Sequence, residues 1–213
     1  MRCTSKRRSP ITTWRPGAPA RGARAWGCAL LERQRWGLVP SWAKDAKIGD
    51  RMINARAETV ASKPAFRSAF AKRRCIVPAD GFYEWQVVPG RRQKQPYFFY
   101  GRDGAPLAFA GMWELWRDPS DAEAPRISTF VIVTTSANAL VASVHERMPV
   151  VLPDALWDAW LDSDNHDAEA LEQMLLPAAE DVLLRHAVGT EVNRPQNHGA
   201  GLVEPLVAQT GLE

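Results

Sequence analysis

The amino-acid sequence predicts an α+β fold, a single β-rich domain with a curved, largely antiparallel sheet and a few helices. After residue 35 the chain consists mainly of short apolar and aromatic runs separated by Gly, Pro and Asp turns, a pattern typical of β-strands. Few segments show the helical spacing of apolar residues, and no internal repeat is visible. A chain of 213 residues is long enough to bury a sizeable core within one domain.

Residues 1–35 differ from the rest of the chain in composition. They are rich in Arg, Pro, Gly and Ala and show neither helical nor alternating periodicity, so we predict a disordered basic arm. The domain itself is predicted to span residues 36–207, followed by a tail at 208–213. No run of about 18 apolar residues is present, which disfavours a membrane span.

The elements of the domain follow from local patterns. Residues 36–39 are predicted to form a short strand that ends at Pro40, because proline cannot donate to a strand ladder. Apolar positions between residues 55 and 72, interrupted by Pro64, indicate a helical turn, a break and a short helix. Further strands are predicted at residues 74–77, 82–87, 97–100, 107–116, 128–134, 183–188 and 202–207, and further helices at 153–161 and 167–175.

Charge is distributed unevenly along the chain. Residues 1–35 hold nine Lys and Arg against one acidic residue, and residues 36–113 hold thirteen against six. Residues 114–213 hold five against seventeen, so the net charge of +3 conceals a basic first half and an acidic second half. This asymmetry predicts a basic face that binds a polyanion; an accidental gradient on a solvated surface is the alternative.

The chain has three cysteines, Cys3, Cys28 and Cys75. Their number and spacing support neither a disulfide framework nor a metal site. We therefore expect no metal, and a reducing, cytoplasmic compartment.

Two residues are candidates for acid–base chemistry. In the run FYEW at residues 82–85, strand alternation places Glu84 on the same face as Phe82, and aromatic surroundings raise the pKa of a carboxyl group towards that of a general acid or base. His145 lies in an apolar neighbourhood that ends at Pro149, unlike the other three histidines. The alternatives are structural: a glutamate that points to water, and a histidine that only packs.

Other side chains suit single-stranded nucleic acid. Asn54 and Arg56 alternate in the run Ile-Asn-Ala-Arg, so both can face one groove, where the amide positions the ligand and the guanidinium holds a phosphate. Arg147, close to His145 and a turn, is a second candidate for a phosphate. The candidate platforms for stacking on bases are Trp36, Trp42 and Trp85. A single tryptophan, however, is more often part of a core.

These residues occur in motifs that closely resemble the SRAP family of SOS-response-associated peptidases, also described as abasic-site processing proteins. The motifs are WGLVPSWAKD, INARAET, KPAFR, RRCIVPADGFYEW and VHERMPVVL, and the resemblance covers roughly residues 35–207. It implies the β-rich α+β fold of that family and a basic groove for single-stranded DNA that contains abasic sites. It also implies covalent capture, in which the amine and thiol of an N-terminal cysteine form a thiazolidine with the aldehyde of the lesion, without metal or organic cofactor.

The resemblance further implies a role for each matching residue. Glu84 would shuttle protons during imine formation, and His145 would assist sugar ring opening and deprotonation. Asn54 would position the N-terminus or the lesion, and Arg56 would hold a flanking phosphate. The expected state is a monomer in the cytoplasm, associated with the nucleoid when bound to DNA.

The start of the chain departs from the family pattern. Family members begin Met-Cys-Gly-Arg, whereas this chain begins Met-Arg-Cys-Thr, so Cys3 has a free α-amine only if Met1 and Arg2 are removed. Three interpretations therefore stay open: covalent capture of abasic sites, a non-covalent single-stranded-DNA binding module, and a thiol peptidase that uses a cysteine with Glu84 and His145.

Overall fold

The computed structural model describes residues 11–16 and 29–206. The strands are β1 (Ile11–Pro16), β2 (Ala29–Trp36), β3 (Asn54–Arg56), β4 (Arg74–Ala79), β5 (Phe82–Gln86), β6 (Gln95–Gly101), β7 (Leu107–Trp116), β8 (Ile127–Ser136), β9 (Arg147–Pro149) and β10 (Leu183–Ala187). The α-helices are α1 (Arg67–Lys72), α2 (Ala139–Ala142), α3 (Trp157–Leu161) and α4 (Ala168–Gln173). Short 3₁₀ helices lie at Ala46–Arg51, Ala57–Thr59, Asp154–Leu156, Thr190–Asn193 and Ala200–Val203. None of the helices in this part of the chain is both long and apolar enough to span a bilayer.

The larger of two sheets contains seven strands and curls back on itself. Its strand order is β2-β1-β4-β7-β8-β3, β9 lies beside β8, and β2 also pairs with β8. The pairings of β8 with β2 and β3 are parallel, and the other pairings are antiparallel. The structure confirms the α+β class and the curved, largely antiparallel sheet.

The smaller sheet is antiparallel, with the order β10-β6-β5, and packs against one face of the larger sheet. Phe82 of β5 lies opposite Phe99 of β6, and their rings stack with centroids 5.0 Å apart. Phe109 of β7 meets Phe82 edge-on at 6.0 Å. Burial of three large rings in one place fixes the position of β5 over the larger sheet.

The central strands of the larger sheet, β7 and β8, are largely buried on both faces. On β8, Val131 and Val133 pack with the helices, whereas Phe130 and Ile132 pack towards the smaller sheet. Side chains of a strand alternate between its two faces, and here each face is covered. This arrangement explains the nearly continuous apolar runs from which the central strands are predicted.

The side chain of Arg74 ties the helices to the sheet. Arg74 is 2% exposed, and its guanidinium group donates to the backbone carbonyl oxygens of Phe70, Ala71, Trp160, Asp162 and Asn165. Carbonyl groups at the end of a helix lack an intrahelical donor, and a buried cation there satisfies them. The predicted helices at 153–161 and 167–175 and the break before α1 are confirmed.

Three local predictions are wrong. Of the predicted strand at 36–39, only Trp36 lies in a strand, as the last residue of β2, because Gly37 has a φ of 115° that interrupts the ladder. The predicted disordered arm contains β1 and most of β2, which pair with each other and join β4 and β8. The predicted strand at 202–207 is a 3₁₀ helix followed by an isolated bridge from Val188 to Pro205. The other residues of the arm, residue 207 and the tail at 208–213 lie outside the described residues.

Candidate functional site

Three motifs that are distant in sequence meet near the carboxyl end of β8. β3 pairs in parallel with β8, which places Arg56 beside Thr134, and β9 pairs with the same end of β8. β5 of the smaller sheet approaches the loop before β9, where Gln86 Nε2 donates to the carbonyl oxygen of Ser143 at 2.8 Å. We call the region between β3, β5 and β9 the candidate site.

Glu84 contributes a buried carboxyl group to this region. It lies on β5 opposite Tyr97 of β6, shares a strand face with Phe82, and is 3% exposed. Burial raises the pKa of Glu84, while the charge of nearby His145 acts in the opposite direction. The raised pKa that the sequence predicts is thereby confirmed. A carboxyl group of this kind exchanges protons closer to neutral pH, as general acid–base catalysis requires.

His145 faces Glu84. Its Nδ1 lies 3.9 Å from Oε2 of Glu84, which is too long for a direct hydrogen bond, so both groups can act on one substrate. Nδ1 also accepts the backbone N–H of Arg147 at 3.1 Å and lies 3.2 Å from the carbonyl oxygen of Arg147. The first contact suits an unprotonated Nδ1 and the second a protonated one. The loop therefore accommodates either tautomer of the imidazole.

β3 directs polar side chains away from the core. Ala55 is 1% exposed and packs in the core, while Arg56 is exposed. Oδ1 of Asn54 is buried and has no hydrogen-bond partner among the described residues. An unsatisfied buried acceptor costs roughly 1–3 kcal/mol, so this oxygen marks a place where a donor from a ligand, or from a residue outside the described range, would be stabilising.

Arg147 is held by the carboxylate of Glu58, which follows β3 in the run INARAET. Its two terminal nitrogens donate to the two oxygens of Glu58 at 2.5 and 3.0 Å, and Nη2 also donates to the carbonyl oxygen of Thr134 at 2.6 Å. This hydrogen-bonded guanidinium holds the pKa of Glu58 below its usual range, and the charge of Arg56 lowers it further. Sequence reasoning missed Glu58. The available signal was an acidic residue two positions after Arg56, in a basic segment.

The tryptophans differ in exposure. Trp42 is 60% exposed, so its ring can take a stacking partner. Trp36 is 7% exposed, stacks on Phe130 with centroids 6.4 Å apart, and donates Nε1 to a backbone carbonyl. The prediction that Trp36 stacks on a base is therefore wrong, because its ring belongs to the core. Trp85 is partly exposed and donates Nε1 to Oδ1 of Asn193 at 2.6 Å.

The cysteine within the described residues is not placed to act as a nucleophile. Cys75 lies on β4 with 0% exposure and packs between the two sheets. A thiol in that position cannot reach a substrate. Cys3 and Cys28, the other two cysteines, lie outside the described residues.

A groove of about 810 Å³ lies elsewhere, between the turn that joins β6 to β7 and the segment that follows α4. None of the predicted site residues lines it. Its lining is mostly apolar, and its carboxylates belong to Asp103, Asp154 and Asp181. The groove and the candidate site share no lining residue, so they are distinct surfaces.

Comparisons with known proteins are consistent with one another. Residues 16–195 match the family described as SOS response associated peptidase (SRAP). The chain is 42% identical over 174 residues to the abasic site processing protein YoqW of Bacillus subtilis, covering 82% of this chain and 76% of that protein. It is 33% identical over 200 residues to the abasic site processing protein HMCES of Gallus gallus, covering 83% of this chain and 58% of that protein.

Solved structures share the fold. A protein from Bacteroides thetaiotaomicron superposes with a TM-score of 0.74 at 28% identity, covering 83% of this chain and 77% of that chain. A protein from Bordetella bronchiseptica superposes with a TM-score of 0.68 at 31% identity, covering 84% of each chain.

Proposed function

Because the chain belongs to the SRAP family, we propose that it recognises abasic sites in single-stranded DNA and captures them covalently in the DNA damage response. The observation that carries this proposal is the buried carboxyl group of Glu84, with its raised pKa, 3.9 Å from His145. A surface that only binds DNA does not need a buried acid beside an imidazole. Addition to a carbonyl group needs a proton donor and a proton acceptor in one place.

The lesion supplies the electrophile. In its open-chain form an abasic sugar carries an aldehyde, and the α-amine of an N-terminal cysteine adds to the carbonyl carbon. A proton delivered to the resulting hydroxyl group lets it leave as water, which gives an imine. The cysteine thiol then adds to the imine carbon, its proton passes to the nitrogen, and a five-membered thiazolidine closes. Water is the only product released.

Glu84 and His145 divide the proton transfers. His145 is placed at the more exposed edge, where it takes the proton of the anomeric hydroxyl group as the sugar ring opens. Glu84, whose pKa is raised by burial, donates a proton to the departing hydroxyl group. The unsatisfied Oδ1 of Asn54 accepts a hydrogen bond from the α-amine or from a hydroxyl group of the lesion.

The nucleophile is Cys3 in this proposal. Cys75 is excluded by its burial, which also removes support for a thiol peptidase built on Cys75, Glu84 and His145. The chemistry needs the α-amine of Cys3 itself, so Met1 and Arg2 must be removed before capture. The intact mass of the purified chain reports that removal directly.

The DNA strand is held by charge and stacking. Arg56 is exposed beside the site and binds a phosphate that flanks the lesion. Trp42, with 60% of its surface exposed, stacks on a base. Arg147 supplies a second cation, at present bonded to Glu58.

The test is a denaturing gel of the full chain with a single-stranded oligonucleotide that carries one abasic site, together with intact mass spectrometry. A heat-stable shifted band from chains that lack Met1 and Arg2 is expected, and it should vanish in Cys3→Ala but persist in Cys75→Ala. A chain with Cys3 at its N-terminus that forms no band would refute covalent capture. Binding without a band, with Met1 retained, would identify a non-covalent module.

A further inference from the structure

We infer that Glu58 acts as an internal competitor for DNA phosphate, occupying Arg147 until a strand displaces it. This inference rests on the proposed function and concerns how the same site controls its affinity for DNA. It starts from the geometry of one ion pair. Both carboxylate oxygens of Glu58 accept from the two terminal nitrogens of Arg147, at 2.5 and 3.0 Å. This is the paired arrangement in which a guanidinium group also binds two oxygens of a phosphate.

The two partners are held very unequally. Arg147 has a side chain that is only 20% exposed, and a third contact to the carbonyl oxygen of Thr134 at 2.6 Å holds it in place. The side chain of Glu58 is 53% exposed and extends from a short 3₁₀ helix, Ala57–Thr59. Exchange of partners therefore requires movement of the exposed carboxylate only, while the cation keeps its position.

A second cation lies two residues before Glu58, in the same motif. Arg56 is exposed on β3, and its charge contributes to lowering the pKa of Glu58. Two guanidinium groups around one carboxylate form a site that the two non-bridging oxygens of a DNA phosphodiester would also fill. In the unbound protein Glu58 neutralises part of this charge, so weak or non-specific polyanions meet a smaller positive potential.

The consequence is a measurable cost to DNA binding. A strand that bonds to Arg147 must first break its pair with Glu58, and partly exposed pairs of this kind are modest in strength. Replacing Glu58 with glutamine removes the competing charge and keeps the shape of the side chain. We expect Glu58→Gln to bind single-stranded DNA about fivefold more tightly than the unaltered chain. The salt dependence of binding should become steeper by about one phosphate contact.

The experiment measures fluorescence anisotropy of a labelled oligothymidylate with the full chain at several salt concentrations. The variants are Glu58→Gln, Arg147→Gln and the double variant. Glu146→Gln is the matched control, because it removes an exposed negative charge on the residue next to Arg147. Tighter binding should appear in Glu58→Gln, should be small in Glu146→Gln, and should be absent when Arg147→Gln is also present.

Each other outcome overturns the inference. Weaker binding by Glu58→Gln would mean that the carboxylate positions Arg147 for DNA, and unchanged binding would mean that the pair is only structural. Tighter binding that survives in the Arg147→Gln background would be a general charge effect. If the unaltered chain binds no DNA while its melting curve is that of a folded protein, the proposed function fails, and this inference fails with it.

Discussion

Replacing Glu84 with glutamine is expected to stabilise the folded chain and slow capture of abasic sites at the same time. Glu84 is 3% exposed, and burial raises the pKa of its carboxyl group. When ionised, the carboxylate costs free energy in the folded state that a neutral amide of the same shape avoids. We expect the free energy of unfolding to increase by about 1 kcal/mol. For a domain of this size, that corresponds to a melting temperature higher by about 2–4 °C.

The effect of Glu84→Gln should depend on pH with a definite sign. The pKa of Glu84 is higher in the folded protein than in the unfolded chain, so the folded state binds the proton more tightly. The stability that Glu84 contributes is complete below the unfolded pKa and is lost as pH rises through the folded pKa. The advantage of the glutamine variant should therefore be small at about pH 4 and largest at about pH 8.

Glu114 offers a matched control for this substitution. It is also buried, with 8% exposure, and its Oε2 accepts a hydrogen bond from Nη2 of Arg73 at 2.6 Å. Glu114→Gln removes the charge from this pair and leaves the guanidinium group without its counter-ion. Its unfolding free energy should fall by about 2 kcal/mol, opposite in sign to the change in Glu84→Gln.

Two assays test the prediction for Glu84. Circular dichroism melting curves of the unaltered chain and both glutamine variants, recorded across the pH range, measure stability. Gel-based rates with an abasic-site oligonucleotide measure capture, which should slow by about 100-fold in Glu84→Gln, because general acid–base catalysis contributes at least that factor. The prediction would be refuted if Glu84→Gln had a melting temperature equal to or below that of the unaltered chain at about pH 8. Capture of the abasic site at the unaltered rate would refute it as well.

Three further predictions concern DNA binding and the core. Arg56→Ala should weaken single-stranded-DNA binding and flatten its salt dependence. The control is Arg126→Ala, which lies just before the opposite end of β8 and should change neither property. If Arg56→Ala and the unaltered chain show the same dependence of affinity on salt concentration, Arg56 is not part of the site. Trp42→Ala should cost about 1–3 kcal/mol of binding free energy with little change in melting temperature, and unchanged anisotropy titrations would contradict stacking. Arg74→Met should lower the unfolding free energy by about 3 kcal/mol or more, because five carbonyl oxygens lose the hydrogen bond from the guanidinium group. A denaturant titration with a near-normal midpoint would contradict this.

The local sequence predicts correctly how individual strands divide their side chains between two faces. Alternation in the run at 82–85 puts Glu84 with Phe82, and both are buried in the structure. The same alternation in β3 leaves Arg56 exposed while Ala55 enters the core. These predictions hold because the period of a strand is a property of the local backbone, whatever covers its faces.

Contacts between distant segments depend on the packing of the whole chain and could not be predicted from local patterns. β1 and β2 carry no clear pattern of their own, yet they form strands because each has a partner in the larger sheet. Trp36 is in the core because Phe130 lies beside it. Glu58 reaches Arg147 across 89 residues of sequence. A local pattern shows which side of a segment is apolar. The order and register of the strands in a sheet depend on the packing of the whole chain. The pattern therefore cannot predict which segment will cover that side.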